Sequence, residues 1–356
     1  MQLRQLGRSG LFVSELSLGT MTFGGSGGFA SVGTTDVKAA RRHVDMAIDA
    51  GVNCIDTADM YSGGLAEEIV GEVLEGRRDD LILATKVRFT MPPGGRNDGG
   101  LSRHHVVRGA EASLRRLRTD HIDLYQVHEW DGLTPLEETL AALDHLVSSG
   151  KVRYVGCSNY TAWQMLKALG ISERRLLASF VSTQVYYSLQ ERSIEHEIVP
   201  ACLSEGLGIL VWSPLAAGLL TGKYRRGEPA PEGTRGFSGW REPPVYDEDR
   251  LYDTIDALTE IAAGHGASPA RVALAWLLGR PGVSTAIVGA RTDEQLADNL
   301  AAVELRLSED ELDRLERVSR PDLPYPLWHQ VMSAADRFSA ADLAGLGPHV
   351  AARAEG

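Results

Sequence analysis

Residues 121–158, HIDLYQVHEWDGLTPLEETLAALDHLVSSGKVRYVGCS, contain the pattern that decides the fold. Two short, β-rich apolar runs, 121–128 and 152–158, enclose a stretch, 135–150, whose apolar residues recur every three or four positions. The runs are typical of buried strands, and the stretch between them is typical of an amphipathic helix. The segment therefore predicts one strand–helix–strand unit with its two strands parallel.

The same alternation runs through most of the chain. Eight β-rich runs end near residues 20, 58, 87, 128, 159, 186, 213 and 290, and helical patterns lie between them. Most of the gaps are close to the ~30 residues of one strand–helix unit. Eight such units predict an α/β fold, a parallel (β/α)8 TIM barrel. We expect residues 1–320 to form this single barrel, with its site at the C-terminal face.

Three segments fall outside the alternation. Residues 1–14 predict an N-terminal β-hairpin that can plug the bottom of the barrel. The long gap after strand seven holds a Gly/Pro-rich loop, 222–244, and one surplus helix pattern, 251–266. Long loops at the C-terminal face of a barrel are usually functional. Residues 321–356 predict an irregular C-terminal extension with one short helix.

Composition excludes several classes of protein. The 356 residues carry a net charge of −12 and are 43% hydrophobic, as in soluble globular proteins. No stretch approaches the ~18–20 apolar residues of a membrane span, and no secretory signal is visible at the start. The three cysteines form no C-x-x-C pair, and the histidines show no metal-ligand spacing. We expect a cytoplasmic protein without a metal and without nucleic-acid or membrane partners.

Two glycine-rich motifs fail as nucleotide sites. Residues 25–30 match G-x-G-x-x-A, but no helix follows directly and a barrel has no Rossmann crevice. Residues 218–224 resemble a P-loop, but they are one residue short and have Tyr where Ser or Thr is needed. We expect both to be loops.

Polar residues stand at the ends of three neighbouring strands. Asp56, Lys86 and His128 end strands two, three and four, and adjacent strands lie only ~4.7–4.9 Å apart. The loop that carries Tyr61 can fold over them. Such a set suits proton donation: the Lys86 ammonium should lower the ordinary phenol pKa of ~10, and Asp56 should keep Lys86 charged.

A site of this kind would polarise a carbonyl group while a hydride arrives from elsewhere. His128 can donate to the carbonyl oxygen or share the phenolic proton. No thiol, metal or flavin-type motif supplies the hydride, so a nicotinamide cofactor is the simplest source.

At these residues the sequence resembles the aldo-keto reductase superfamily, over about residues 1–320. Asp56, Tyr61, Lys86 and His128 match the catalytic tetrad of that family, with Tyr61 as its general acid, and GVNCIDTA at 51–58 resembles its second-strand segment. The resemblance implies an NADPH-dependent enzyme that reversibly reduces a small aldehyde or ketone to an alcohol.

The resemblance also implies a set of cofactor-binding residues. Ser158 and Asn159, with Gln184 alongside, would hold the nicotinamide carboxamide, and Trp212 would stack on the ring. Thr20, Met21 and Asp56 would lie around the nicotinamide end. The pyrophosphate strap would comprise Ser213, Pro214, Leu215, Gly218, Leu219 and Lys223, and the adenosine and 2′-phosphate site would comprise Gly289, Arg291, Gln295, Asp298 and Asn299.

The pattern departs from the family in one place. Many members have Lys-Ser where this chain has Gly289-Ala290, so Arg291, and Arg235 in the long loop, are the expected cations. The form W-S-P-L-x-x-G-x-x-x-G-K-Y at 212–224 resembles a bacterial subgroup similar to potassium-channel β subunits. Channel binding is not implied, and His128, which some channel subunits lack, indicates turnover.

Two other interpretations stay open at this point. The chain could be a nicotinamide-binding sensor or regulatory subunit with little turnover, or a non-redox barrel enzyme that uses Lys86 as a base. The loop 222–244 is expected to close on the cofactor. Candidate apolar residues of the substrate pocket are Phe23, Met60, Phe89, Trp130 and Trp328. The natural substrate and the oligomeric state, a homo-oligomer included, are left open by the sequence.

Overall fold

The computed structural model describes residues 1–92, 94–239 and 242–354. Eight parallel strands close into a barrel in the order β10-β3-β4-β5-β6-β7-β8-β9, which confirms the predicted (β/α)8 fold. The barrel strands are β3 (Leu16–Gly19), β4 (Cys54–Asp56), β5 (Ile82–Val87), β6 (Ile122–Val127), β7 (Val152–Ser158), β8 (Phe180–Tyr186), β9 (Gly208–Trp212) and β10 (Val283–Val288).

Helices surround the barrel. Eight of them alternate with its strands: α1 (Val37–Asp49), α2 (Leu65–Val73), α3 (Arg103–Arg116), α4 (Leu136–Ser148), α5 (Ala162–Arg175), α6 (Ile194–Glu205), α8 (Pro269–Leu278) and α9 (Asp293–Leu300). Two others, α7 (Glu248–His265) and α10 (Glu309–Ser319), pack on each other. Helix α7 is the surplus helix that the pattern at 251–266 predicts, and it follows the long loop after β9.

Local sequence signals explain where these helices begin. The carboxylate of Asp36 accepts a hydrogen bond of 2.8 Å from the Ala39 N–H and caps α1. The hydroxyl of Ser268 caps α8, with Pro269 in the first turn, where its missing N–H is not needed.

The N-terminal hairpin closes the bottom of the barrel. Its strands β1 (Leu3–Gln5) and β2 (Phe12–Ser14) are antiparallel. Leu6 and Val13 are fully buried and pack in one cluster with Cys54, Leu124 and other residues inside the barrel. The Arg8 N–H donates to the Gly206 carbonyl oxygen, 2.8 Å away, just before β9 begins. The predicted plug is confirmed.

The C-terminal extension is more regular than the sequence led us to expect. It contains α11 (Leu327–Ser333) and α12 (Ala340–Ala354), and α12 packs against α6. Reciprocal hydrogen bonds between Ser339 and Asp342 start α12, and its many alanines favour the helix. Leu346, which is 3% exposed, anchors it. None of the helices in the described ranges has both the length and the apolar character needed to cross a bilayer.

Candidate active site

The predicted tetrad meets at the C-terminal ends of β4, β5 and β6. Asp56 and Lys86 lie in β4 and β5, and His128 directly follows β6. Tyr61 opens a short 3-10 turn, Tyr61–Gly64, after β4. Ser62 fixes this turn: its hydroxyl donates to the Phe23 carbonyl oxygen at 3.0 Å and accepts from the Gly25 N–H at 3.0 Å. The turn therefore holds Tyr61 over the strand ends.

Lys86 is the centre of the site. Its Nζ donates to Asp56 Oδ1 at 2.6 Å, to the Thr57 carbonyl oxygen at 2.8 Å and to Tyr61 Oη at 3.3 Å. The residue has no exposed surface. Because the Tyr61 oxygen accepts from Lys86, the phenolic proton is free to point into the cavity.

Asp56 is held from the opposite side by two amides. Gln184 Nε2 donates to Asp56 Oδ2 at 2.8 Å, and Gln126 Nε2 donates to the same oxygen at 3.4 Å. Gln126 has no role among the residues predicted from the sequence, although it stands at a strand end two residues before His128. The two amides orient the carboxylate that orients Lys86.

The electrostatics differ from the expectation in one respect. Burial raises the pKa of Tyr61, and the Lys86 ammonium only opposes that rise, so the net shift is upward rather than downward. Burial by itself lowers the pKa of Lys86, but Asp56 and Tyr61 outweigh it and keep the amine protonated. Burial, with Lys86 and Arg88 nearby, holds the pKa of His128 well below its usual range. The imidazole is therefore neutral at physiological pH.

A cavity of about 660 Å³ opens above these residues. Asp56, Tyr61 and His128 line it, whereas Lys86 lies beneath them. The predicted cofactor-binding residues that line it are Thr20, Met21, Asp56, Ser158, Asn159, Gln184, Trp212, Ser213, Pro214, Leu215, Gly218, Lys223, Arg235, Gly289, Arg291, Gln295, Asp298 and Asn299.

The cavity wall nearest the tetrad is organised by Asn159. Its Nδ2 donates to the His128 carbonyl oxygen at 3.2 Å, and its Oδ1 accepts from Trp212 Nε1 at 3.0 Å. The Trp212 ring lies against the Tyr186 ring, with centroids 5.0 Å apart. The hydroxyl of Ser158 is buried beside this wall and has no hydrogen-bond partner among the described residues.

Two arginines also line the cavity. Arg235 and Arg291 are close enough to interact: burial, and then the charge of Arg291, lower the pKa of the Arg235 guanidinium. Arg291 Nη2 donates to the Gly233 carbonyl oxygen at 2.7 Å, so it holds the long loop against the strand β10 side of the barrel. Lys223 lines the same cavity.

Some predicted positions are not in the cavity. The Leu219 side chain packs on the hydrophobic core, because the turn after β9 directs it inward, and it is absent from the cavity lining. Phe23 is fully buried in the core, and Trp130 packs between Tyr160 and Trp163. Trp328 lines a separate cleft on the C-terminal extension. Met60 and Phe89 do line the cavity.

The sequence missed several residues of the cavity wall. Phe29, Glu129 and Glu242 line it and were assigned no role. Glu129 directly follows His128, so its place next to the tetrad could have been a signal. Phe29 and Glu242 lie on loops whose paths the sequence pattern does not reveal.

Similarity to known proteins identifies the family of this chain. The profile of the aldo/keto reductase family matches residues 15–320. This chain belongs to the aldo/keto reductase family. It is 40% identical over 328 residues to "Uncharacterized oxidoreductase YrpG" of Bacillus subtilis (strain 168), covering 89% of this chain and 96% of that protein.

Two further relatives of this chain have names that indicate different functions. A protein of Arabidopsis thaliana named probable voltage-gated potassium channel subunit beta is 36% identical, over 91% of this chain and 99% of its own. The versiconal hemiacetal acetate reductase of Aspergillus parasiticus is 34% identical, over 92% of this chain and 99% of its own. The family member described here is thus an oxidoreductase of the aldo/keto reductase type, with similarity to channel β subunits.

Proposed function

We propose that this protein is an NADPH-dependent carbonyl reductase in which Tyr61 donates the proton. The observation that carries the proposal is the 3.3 Å hydrogen bond from Lys86 to Tyr61, at the floor of the large cavity. This hydrogen bond places the acid, Tyr61, beside the Lys86 charge that stabilises its anion. It also leaves the phenolic proton directed toward the cavity. The similarity to a reductase of hemiacetal chemistry supports a carbonyl-type substrate.

The residues present fit NADPH. The buried Ser158 hydroxyl lacks a partner and can bind a carboxamide, and Trp212 supplies an aromatic face. Gly218 would direct a side chain into open space, which leaves room for a phosphate beside its backbone. Arg235 and Arg291 form a pair of like charges that a phosphate would compensate.

The reaction then follows from the tetrad. Bound NADPH supplies the hydride. Tyr61 Oη donates its proton to the carbonyl oxygen as negative charge develops there. The Lys86 ammonium stabilises the phenolate that forms, and Asp56 keeps that ammonium in place. Neutral His128 offers an N–H to the same oxygen and orients the substrate.

The substitution Tyr61→Phe tests the acid. It removes the hydroxyl and keeps the ring, so kcat for aldehyde reduction should fall by at least ~10² while NADPH binding persists. Tyr224→Phe is the matched control: this phenol lines the same cavity but contacts Gly236, outside the Lys86 network. Near-normal turnover in Tyr61→Phe would refute the assignment.

The similarity to a channel β subunit supports one alternative function, that of a nicotinamide-binding regulatory subunit with little turnover. The two functions separate in one measurement on the wild-type protein. Tight NADPH binding with turnover below the ~1 s⁻¹ at the lower end of enzymes would favour the regulatory subunit.

A further inference from the structure

The wall of the cavity around the tetrad is aromatic and acidic. We call it the substrate end and define it by Phe29, Met60, Tyr61, Phe89, His128 and Glu129, which all line the cavity. The Phe29 ring meets the Tyr61 ring edge-on at 5.7 Å, and the Phe89 ring meets the His128 ring at 5.0 Å. Such rings accept a planar, apolar group beside the tetrad.

Among the residues of the substrate end that do not belong to the tetrad, Glu129 is the one with an ionisable side chain. It is half-buried, and its Oε1 accepts a hydrogen bond of 3.0 Å from the Trp130 N–H, which fixes the carboxylate at the cavity. Burial raises the pKa of Glu129, and the Trp130 N–H and Arg88 oppose the rise. A partly desolvated carboxylate acts on a bound charge more strongly than one in water.

Nearby cations do not cancel this charge in the cavity. Lys86 is paired with Asp56. Arg88 does not line the cavity: its guanidinium lies over the Phe89 ring and donates to the Trp130 carbonyl oxygen at 3.4 Å.

The long loop adds a second carboxylate, Glu242, to the cavity wall. Glu242 is near enough to Tyr61 and Glu129 to influence both. Arg235, whose charge interacts with that of Glu242, is one of the two arginines that would bind a phosphate in the proposed function. Residues 240 and 241 of this loop lie outside the described ranges, whereas Glu129 and its neighbours lie within them.

We propose that Glu129 is a specificity-determining residue that makes the enzyme prefer neutral or cationic aromatic aldehydes over anionic ones. The proposal rests on the proposed function, because it assumes that the carbonyl lies at Tyr61. A substrate carboxylate would then approach the Glu129 carboxylate inside a cavity that screens charge poorly.

A set of similar substrates tests the proposal. 4-Carboxybenzaldehyde, its neutral methyl ester and the permanent cation (4-formylbenzyl)trimethylammonium are assayed with saturating NADPH at about pH 8, where carboxylates are ionised. We expect kcat/KM for the ester and the cation to exceed that for the acid at least ~10-fold. Glu129→Gln should reduce this preference at least ~5-fold, mainly by raising kcat/KM for the carboxylate substrate. Glu137→Gln, which removes a carboxylate from the first turn of α4 outside the cavity, should leave it unchanged.

Binding measurements separate this proposal from the proposed function. Dissociation constants of the acid and the ester for the Tyr61→Phe protein with NADP⁺ should show the same preference without any turnover. Equal constants, or a preference that Glu129→Gln leaves intact, would overturn the role of Glu129. A binding preference that depends on Glu129, in a wild-type protein that reduces none of the aldehydes, would overturn the reductase and leave the charge selection standing.

Discussion

The Nζ of Lys86 lies 3.3 Å from the hydroxyl oxygen of Tyr61, and the direction of this hydrogen bond decides what Tyr61 can do. The ammonium group has protons only to donate, so the phenol oxygen must accept. The phenolic proton is thereby directed toward the cavity, where a carbonyl oxygen can receive it. Because of this contact and its ion pair with Asp56, the loss of Lys86 should lower both catalytic activity and stability.

Lys86→Met should lower both activity and stability. It leaves Asp56 as a buried carboxylate without a cation, which typically costs ~3–5 kcal/mol, and it removes the charge that stabilises the Tyr61 phenolate. Thermal unfolding and steady-state kinetics would measure the two effects. The matched control is Lys151→Met, which breaks an exposed ion pair with Glu111 and should leave the melting temperature almost unchanged. Unaltered stability in Lys86→Met would contradict the buried pair.

The pH dependence follows from two pKa shifts. The raised pKa of Tyr61 keeps the phenol protonated through the neutral range, so reduction should stay flat and decline only above the ordinary phenol pKa of ~10. Alcohol oxidation, which needs the phenolate, should rise through that same alkaline region. Because the pKa of His128 is held low, neither profile should bend near the ordinary histidine pKa of ~6.5. A pH profile of kcat/KM in both directions checks this, and a limb near ~6.5 that vanishes in His128→Gln would contradict it.

Arg291→Ala should change cofactor choice. Loss of a guanidinium that can grip the 2′-phosphate should weaken NADPH binding ~10-fold, with NADH little affected. Fluorescence titration with both cofactors measures the two dissociation constants. The control is Arg306→Ala, which removes an exposed guanidinium that donates a hydrogen bond to the Val303 carbonyl oxygen. If both cofactors weaken equally, Arg291 acts instead by holding the long loop through the Gly233 carbonyl oxygen.

The loop 222–244 should become protected when NADP⁺ binds. Lys223 and Arg235 already line the cavity, so cofactor phosphates can hold the loop in place, and its reopening should limit cofactor release. We expect NADPH to bind first and NADP⁺ to leave last, with the two competing in product inhibition. Hydrogen exchange with and without NADP⁺ tests the closure, with α4 as an internal reference that should not change. Equal protection of the loop in both states would rule out the gate.

The sequence by itself determined the barrel and the tetrad. Eight β-rich runs at mostly regular spacing leave few ways to bury their apolar faces, and a closed parallel barrel buries them all and places the carboxyl end of every strand on one face. Asp56, Lys86 and His128 could be brought together from the sequence because neighbouring strands of a barrel must end side by side. Ala-rich residues 340–354 signalled α12 as well, but the expectation of an irregular extension overlooked their helix propensity.

Only the tertiary structure decided the surroundings of the tetrad. The net rise in the pKa of Tyr61 depends on how deeply the phenol is buried, which no spacing along the chain reveals. The two amides on Asp56 come from β6 and β8, and Arg291 reaches a carbonyl oxygen 58 residues away in the chain. Glu129 and Phe29 line the cavity because of the paths that the segments after the strands follow. Strand periodicity fixes which residues reach the barrel's C-terminal face, but long-range packing sets their solvation, their partners and their charge.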